Sequence, residues 1–211
     1  MEEVRIEPLR YEELPEAVEV VAGAMSTTPL FMTLFQRQED KMRCQNAVLR
    51  GVLGRLPGQV LVAKEDSRIV GVMHMVEWPR CQLSLLQELR LLPIMLYTLK
   101  GTTMRVLNAT SVWFKYAPKE PHWHIDLLAV LPEMQGQGIE SRLLERFCEQ
   151  ADKTQQPAYL HMDNPQNIRL CEQFGFLVAG EAPVLGVTNW FMWRPPHQPA
   201  RQAQPCPGYD Q

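Results

Sequence analysis

Ile125-Asp126-Leu127-Leu128-Ala129-Val130-Leu131 is an apolar run, and Gln135-Gly136-Gln137-Gly138-Ile139 follows it closely. Beyond the glycines, Ser141 to Lys153 places Leu143, Leu144, Phe147, Cys148 and Ala151 on one helical face. The order is strand, glycine-rich turn, helix start. Glycines at a helix start lack a Cβ and let a phosphate come close to the backbone, while the first unbonded N–H groups of the helix and its dipole favour the negative charge. A Gly-x-Gly pair can equally serve as a plain turn. The turn lacks the third glycine of a dinucleotide-binding loop and the Gly-Lys-Ser/Thr of a P-loop.

Working outward, Val4-Arg5-Ile6 begins a strand, and Leu14, Ala17, Val18, Val21, Ala22 and Met25 recur at helical spacing behind Pro15, a residue suited to a first helical turn. A second helix is expected from about Gln36 to Leu53. Gln59 to Lys64 and Ile69 to Val76 then form a hairpin around Glu65-Asp66-Ser67. After the glycine turn and its helix come a strand, Ala158 to Met162, a helix, Pro165 to Phe174, ended by Gly175, and two further strands. The fold class is α/β (α+β), a single domain over 1–195. Residues 80–119 read as an insertion over the acceptor side, with the apolar run Leu83 to Leu99 as a lid, and 196–211 as a proline-rich disordered tail.

Leu128 to Gly138 looks like the acetyl-CoA signature of the Gcn5-related N-acetyltransferases, in which Gln or Arg precedes x-x-Gly-x-Gly/Ala. Asn164-Pro165-Gln166-Asn167-Ile168-Arg169-Leu170-Cys171-Glu172-Gln173-Phe174-Gly175-Phe176 is similar to a second block of that superfamily, Asn-x-x-x-x-Tyr-x-x-x-Gly-Phe. Within it, His122-Trp123-His124, Pro157-Ala158-Tyr159-Leu160 and Trp190-Phe191-Met192-Trp193-Arg194 resemble the puromycin N-acetyltransferase-like group. The resemblance covers residues 120–195 well and the N-terminal half loosely. It implies a mixed, mostly antiparallel sheet with flanking helices, splayed at the acetyl-CoA strand, and direct transfer of an acetyl group to a primary amine.

The resemblance implies that the backbone edge of Leu128, Ala129 and Val130 pairs with the pantetheine arm, with Asn167 bonding it as well. Backbone N–H groups of Gly136, Gln137, Gly138, Ile139, Glu140 and Ser141 would hold the pyrophosphate, with Gln135 as a side-chain donor. His124 lies near the place where some relatives carry a glutamate base, and an imidazole with a pKa of about 6.5 suits proton abstraction. Alternation along the strand puts His122, His124 and Asp126 on one face, where Asp126 can orient the imidazole. A structural histidine is the alternative.

Two positions depart from the family pattern. Cys171 stands where a Tyr general acid is usual, and a thiol is the weaker hydrogen-bond donor, with a pKa of about 8.5 against about 10; it reads as a substitute acid or as a small buried hydrophobe. Glu140 stands where Gly or Ala is preferred. A solvated carboxylate there repels a pyrophosphate by on the order of 1 kcal/mol, whereas one turned outward is favoured by the helix dipole. These departures motivate an acyl-CoA-binding or regulatory protein of weak activity as one rival reading. A protein N-acetyltransferase is another.

With 21 Lys+Arg against 24 Asp+Glu, the net charge of −3 gives no field for nucleic acid and no polybasic membrane patch. Five scattered cysteines without a secretory signal read as reduced thiols of a cytoplasmic protein, and no metal is expected. The expected partner is a small-molecule amine, without nucleic acid or membrane, and a homodimer is left open.

Overall fold

The computed structural model of the chain describes residues 4–36, 38–81 and 102–196. The expected lid over Leu83 to Leu99 and the tail from 197 onward lie outside those residues.

Strand β1 (Arg5–Pro8) leads into helix α1 (Leu14–Met25), which has Pro15 in its first turn and buries Ala17, Val18, Val20, Val21 and Ala24. Helix α2 (Pro29–Leu34) was not expected, because six residues are too few for a helical period to show. Helix α3 (Gln38–Arg55), strand β2 (Gln59–Glu65) and strand β3 (Arg68–Glu77) follow, the last two joined through Asp66 and Ser67 at positive φ. Helix α4 (Thr103–Tyr116) falls within the expected insertion. Then come β4 (Trp123–Val130), α5 (Ile139–Lys153) and β5 (Ala158–Met162). The expected helix from Pro165 opens as a 3-10 turn, Pro165–Asn167, and continues as α6 (Ile168–Gln173). Strands β6 (Leu177–Val184) and β7 (Val187–Arg194) close the order. Gly175 ends α6 at φ +83, the left-handed conformation expected of it. No described helix is long and apolar enough to cross a membrane.

The seven strands form one sheet in the order β1-β2-β3-β4-β5-β7-β6, antiparallel except for β4 beside β5. One face packs on α5 and α6, where Ile139, Leu143, Phe147 and Phe176 meet Met73, Met75, Ile125 and Leu160. The other packs on α1 and α3, where Ala17, Val21, Leu49 and Leu53 meet Val62, Val72, Leu127 and Ala129. Burying each larger aliphatic or aromatic side chain contributes about 1.5–3 kcal/mol before conformational entropy is set against it. On this second face α4 lies over the far strands, with Trp113 Nε1 donating to Asn189 Oδ1 at 3.1 Å. The backbone N–H of Leu30 at the start of α2 donates to Asp163 Oδ2 just past β5, at 3.0 Å.

Strand β4 carries two irregularities. Its pairing with β3 runs the length of the strand but shifts register between His74 and Met75, so Asp126 is the extra residue of a bulge. Its pairing with β5 covers only Trp123 to Ile125, opposite Ala158 to Leu160. Beyond Ile125 the two strands part.

The far end of the fold is tied by Arg194, whose two terminal nitrogens lie 2.6 and 2.9 Å from the Asp152 carboxylate while Nε donates to the Phe174 carbonyl at 2.8 Å. One guanidinium joins β7, α5 and the end of α6, a geometry a lysine cannot reproduce. Arg194→Ala is expected to cost about 1–3 kcal/mol in chemical denaturation, and Arg194→Lys to recover less than half of that.

Candidate functional site

The glycine turn has the shape of an anion cradle. Gly136 and Gly138 sit at φ +74 and +81, and a Cβ at either would meet nothing within 4 Å. Gly138 starts α5 without a side-chain cap, which leaves the first N–H groups of the helix unclaimed by any side chain. Ile139 is buried and anchors the turn against Gly71, while Gly136 to Gly138 are exposed. Next to this turn, the edge of β4 from Leu128 through Ala129 to Val130 faces the gap left by β5. Leu128 and Val130 point their side chains toward α5, and Ala129 points toward α1.

Several expected side chains take other positions. Gln135, expected to reach outward as a donor, gives its amide to the Val130 carbonyl at 3.1 Å and so braces the turn from within. Gln137 does the same with the Glu133 carbonyl at 3.2 Å. Asn164, not Asn167, caps the 3-10 turn by accepting from the N–H of Gln166, so the half-buried Asn167 makes no capping bond. Glu140 is half-buried, and burial alone raises its carboxyl above the ordinary range. It lies near enough to Cys171 to help raise that thiol too. Ser141 is half-buried beside it.

Cys171, read from the sequence as either a substitute acid or a small buried hydrophobe, is buried. It packs among Phe147, Cys148 and Phe176 on the α5 side of the sheet, opposite the face that carries His124. Burial pushes its thiol up to about 12. These are the surroundings of the small buried hydrophobe.

On the face toward α1 and α4, His74, His124 and His161 gather around Asp126, and His122 lies beside His124 with 6.1 Å between ring centres, so four of the five histidines of the chain fall in one region. His124 Nδ1 lies 3.3 Å from Asp126 Oδ1, and His74 Nδ1 lies 3.0 Å from Asp126 Oδ2. A carboxylate only accepts, so the Nδ1 of His124 carries its hydrogen toward it and Nε2 keeps the lone pair, whereas His74 Nδ1 lies at ion-pair distance without a formed hydrogen bond. Burial works to raise the Asp126 carboxyl, but His124 and His74 outweigh it and hold it below the usual carboxylate range. Burial also lowers His124, more than Asp126 raises it. The outcome is an ionised carboxylate behind a neutral imidazole. The Nε2 of His124 is buried and has no hydrogen-bond partner.

His122 directs Nδ1 at the Glu120 carbonyl, 2.7 Å away, and its buried Nε2 is likewise without a partner. His161 stacks at a tilt on Trp113 with 4.7 Å between ring centres, and burial brings it down to about 3. Tyr159 lies 5.0 Å from the His124 ring, its hydroxyl is buried without a partner, and burial raises it above the ordinary phenol range. Gly58, at φ +143, makes room for His74: a Cβ there would stand 2.5 Å from His74 Nε2 and 2.7 Å from the Met75 carbonyl. Beside the cluster opens a cleft of about 260 Å³ lined by Tyr116, Pro118, Glu120, Tyr159, Phe191 and Trp193.

Sequence reasoning brought His124 and Asp126 together correctly but overlooked His74, Tyr159 and His161. Alternation offered a signal for each. His74 is the one polar residue in Val72 to Val76, and Tyr159 and His161 are two apart on a strand that pairs beside His124. Cys81 follows β3 and carried no local signal.

Residues 25–176 match the model of the acetyltransferase (GNAT) family. Among solved structures, the fold is similar to a histone acetyltransferase HPA2-related protein from Corynebacterium glutamicum (20% identity, 93% of this chain and 98% of that one, TM-score 0.69). It is also similar to the ribosomal-protein-S18-alanine N-acetyltransferase from Escherichia coli (15% identity, 96% and 99%, TM-score 0.56). A third similar structure is yncA, a putative acetyltransferase from Salmonella typhimurium with its cofactor acetyl-CoA (19% identity, 96% and 99%, TM-score 0.56).

Two outcomes are expected here. Cys171→Ala loses about 1 kcal/mol of stability from the core but keeps its turnover number, as equilibrium denaturation and steady-state kinetics would show. The unfolded chain protonates His161 below about pH 6.5 and the folded chain only near 3, so the unfolded state binds more protons in between and stability falls as pH drops through that window. Urea titrations at pH 7 and pH 5 should show a smaller loss for His161→Phe than for the wild type.

Proposed function

The chain belongs to the acetyltransferase (GNAT) family, and from that premise we propose that it transfers an acetyl group from acetyl-CoA directly to a primary amine of a small molecule, with His124 as the general base. The observation that carries this reading is the free lone pair of His124 Nε2, held behind by Asp126, at the point where β4 and β5 part.

The residues of the glycine turn suit the cofactor. Open space above Gly136 and Gly138 and the uncapped start of α5 fit a pyrophosphate, with backbone N–H groups from Gly136 to Ser141 as donors. The edge of Leu128, Ala129 and Val130 supplies backbone hydrogen bonds to the amides of the pantetheine arm, and Asn167 adds a side-chain partner. Acetyl-CoA supplies the acetyl group as an activated thioester.

His124 removes the proton from the acceptor ammonium, since a neutral imidazole with its lone pair on Nε2 is ready to accept one. Asp126 fixes that tautomer and stabilises the imidazolium that forms; it is a positioning residue. His74 holds the second oxygen of Asp126 and so keeps the carboxylate from rotating away. The cleft beside Tyr159 has aromatic walls and one carboxylate, Glu120, at its rim, which suits an ammonium carried on an apolar body. That chemistry agrees with the small-amine reading suggested by the puromycin N-acetyltransferase-like segments.

The test is release of free thiol from acetyl-CoA with a panel of small amines and short peptides. Amine-dependent release should fall by about 10²–10⁴ in kcat in His124→Ala, and by a smaller factor in Asp126→Asn. Full turnover in His124→Ala removes the base from this reading. Binding of CoA without turnover across the panel points instead to an acyl-CoA-binding protein, and a preference for peptide N-termini to a protein acceptor.

A further inference from the structure

We propose that Cys81, His122 and His124 form a binding site for a divalent transition-metal ion of zinc type, and that occupancy of this site blocks acetyl transfer. The binding half stands on geometry alone; the inhibitory half rests on the reading of His124 as the base.

One ligand atom from each of the three residues lies within 4.8 Å of the others. The histidines are prepared in the way metal ligands are. The Nδ1 of His122 is engaged by the Glu120 carbonyl and that of His124 by the Asp126 carboxylate, so both present Nε2 lone pairs. Those two Nε2 atoms are buried and unpartnered, a costly condition for polar atoms unless something else meets them. Cys81 is a free thiol and only partly buried, so an ion can approach from its side.

Bond lengths of about 2.0–2.1 Å to nitrogen and 2.3 Å to sulfur set the ligands of a tetrahedral zinc ion roughly 3.4–3.6 Å apart. The ligand atoms, all within 4.8 Å of one another, close on the ion by at most about 1.4 Å, within the reach of side-chain rotation. One sulfur and two imidazoles are a set that favours zinc over magnesium or calcium.

Binding converts the Cys81 thiol to a metal thiolate: the S–H bond breaks, an S–metal bond forms, and the proton passes to solvent. No oxidant or reductant is involved. One thiolate and the nearby Asp126 carboxylate together match the two positive charges of the ion, and the fourth coordination position stays open. The metal then occupies the Nε2 lone pair with which His124 would take a proton from the amine.

The experiment uses the full chain, freed of metal by dialysis against a chelator, titrated with Zn²⁺ by calorimetry and with Co²⁺ by absorption. The expected result is one ion bound per chain with a Kd of micromolar or below and a near-ultraviolet cobalt–thiolate charge-transfer band. Cys81→Ser should lose the band and weaken Zn²⁺ binding at least tenfold. Circular dichroism and unchanged basal thiol release would show that this variant is folded. Absence of binding in the wild type, or binding unaltered in Cys81→Ser, overturns the site whatever the activity does. In the activity assay, Zn²⁺ should inhibit the wild type reversibly by chelator and spare Cys81→Ser; a zinc-bound enzyme of full activity overturns the inhibitory half and the base assignment with it, while the binding site stands.

Discussion

The three-residue pairing of β4 with β5 is the constraint on which the rest of the molecule depends. Parallel strands normally continue side by side, since backbone groups left unpaired in a sheet interior are costly. Here the strands part after Ile125, and the cost is limited because the exposed edge of β4 runs directly into the glycine turn and the start of α5, where other backbone groups are also open. The gap therefore brings together a row of strand amides, a helix start and, on the adjoining face, the imidazole of His124. An open strand edge, an uncapped helix start and a buried imidazole are placed side by side by a single break in the sheet.

The bulge at Asp126 works with that break. Straight alternation would carry the strand past the histidines with no change of phase, but the extra residue lets Asp126 face His74 and His124 while Leu127 and Ala129 still pack against α1. A carboxylate so enclosed stays ionised only because two imidazoles face its two oxygens. His124, in turn, stays neutral because burial disfavours its charged form. A lowered His124 beside a lowered Asp126 is thus one electrostatic arrangement, and disturbing either group shifts the other.

Much of this was legible in the sequence. The apolar run from Ile125, the glycines at 136 and 138 and the amphipathic helix behind them made the strand, turn and helix start readable, because two-residue and 3.6-residue periods are strong over such lengths. His124 and Asp126 were within reach for the same reason: two residues apart on one strand is a local fact. His74, His161 and Tyr159 arrive from β3 and β5, and only the pairing of strands sets them beside His124. Cys171 is a different case. A motif position carries a role in a family, but whether its side chain faces the gap or the core depends on how α6 packs, and the 3-10 turn that opens the second block is set by the Asn164 cap as well as by spacing.

Gly58 and His74 are bound by a constraint that runs in one direction only. A side chain at 58 would collide with the imidazole and also with the main-chain carbonyl of Met75, so trimming residue 74 does not release position 58. Shrinking His74, by contrast, asks nothing of Gly58. Along a lineage of such chains, Gly58 places no demand on the histidine while the Met75 carbonyl keeps the glycine in place, and a descendant that has lost the glycine must first have rebuilt the β2–β3 pair around it.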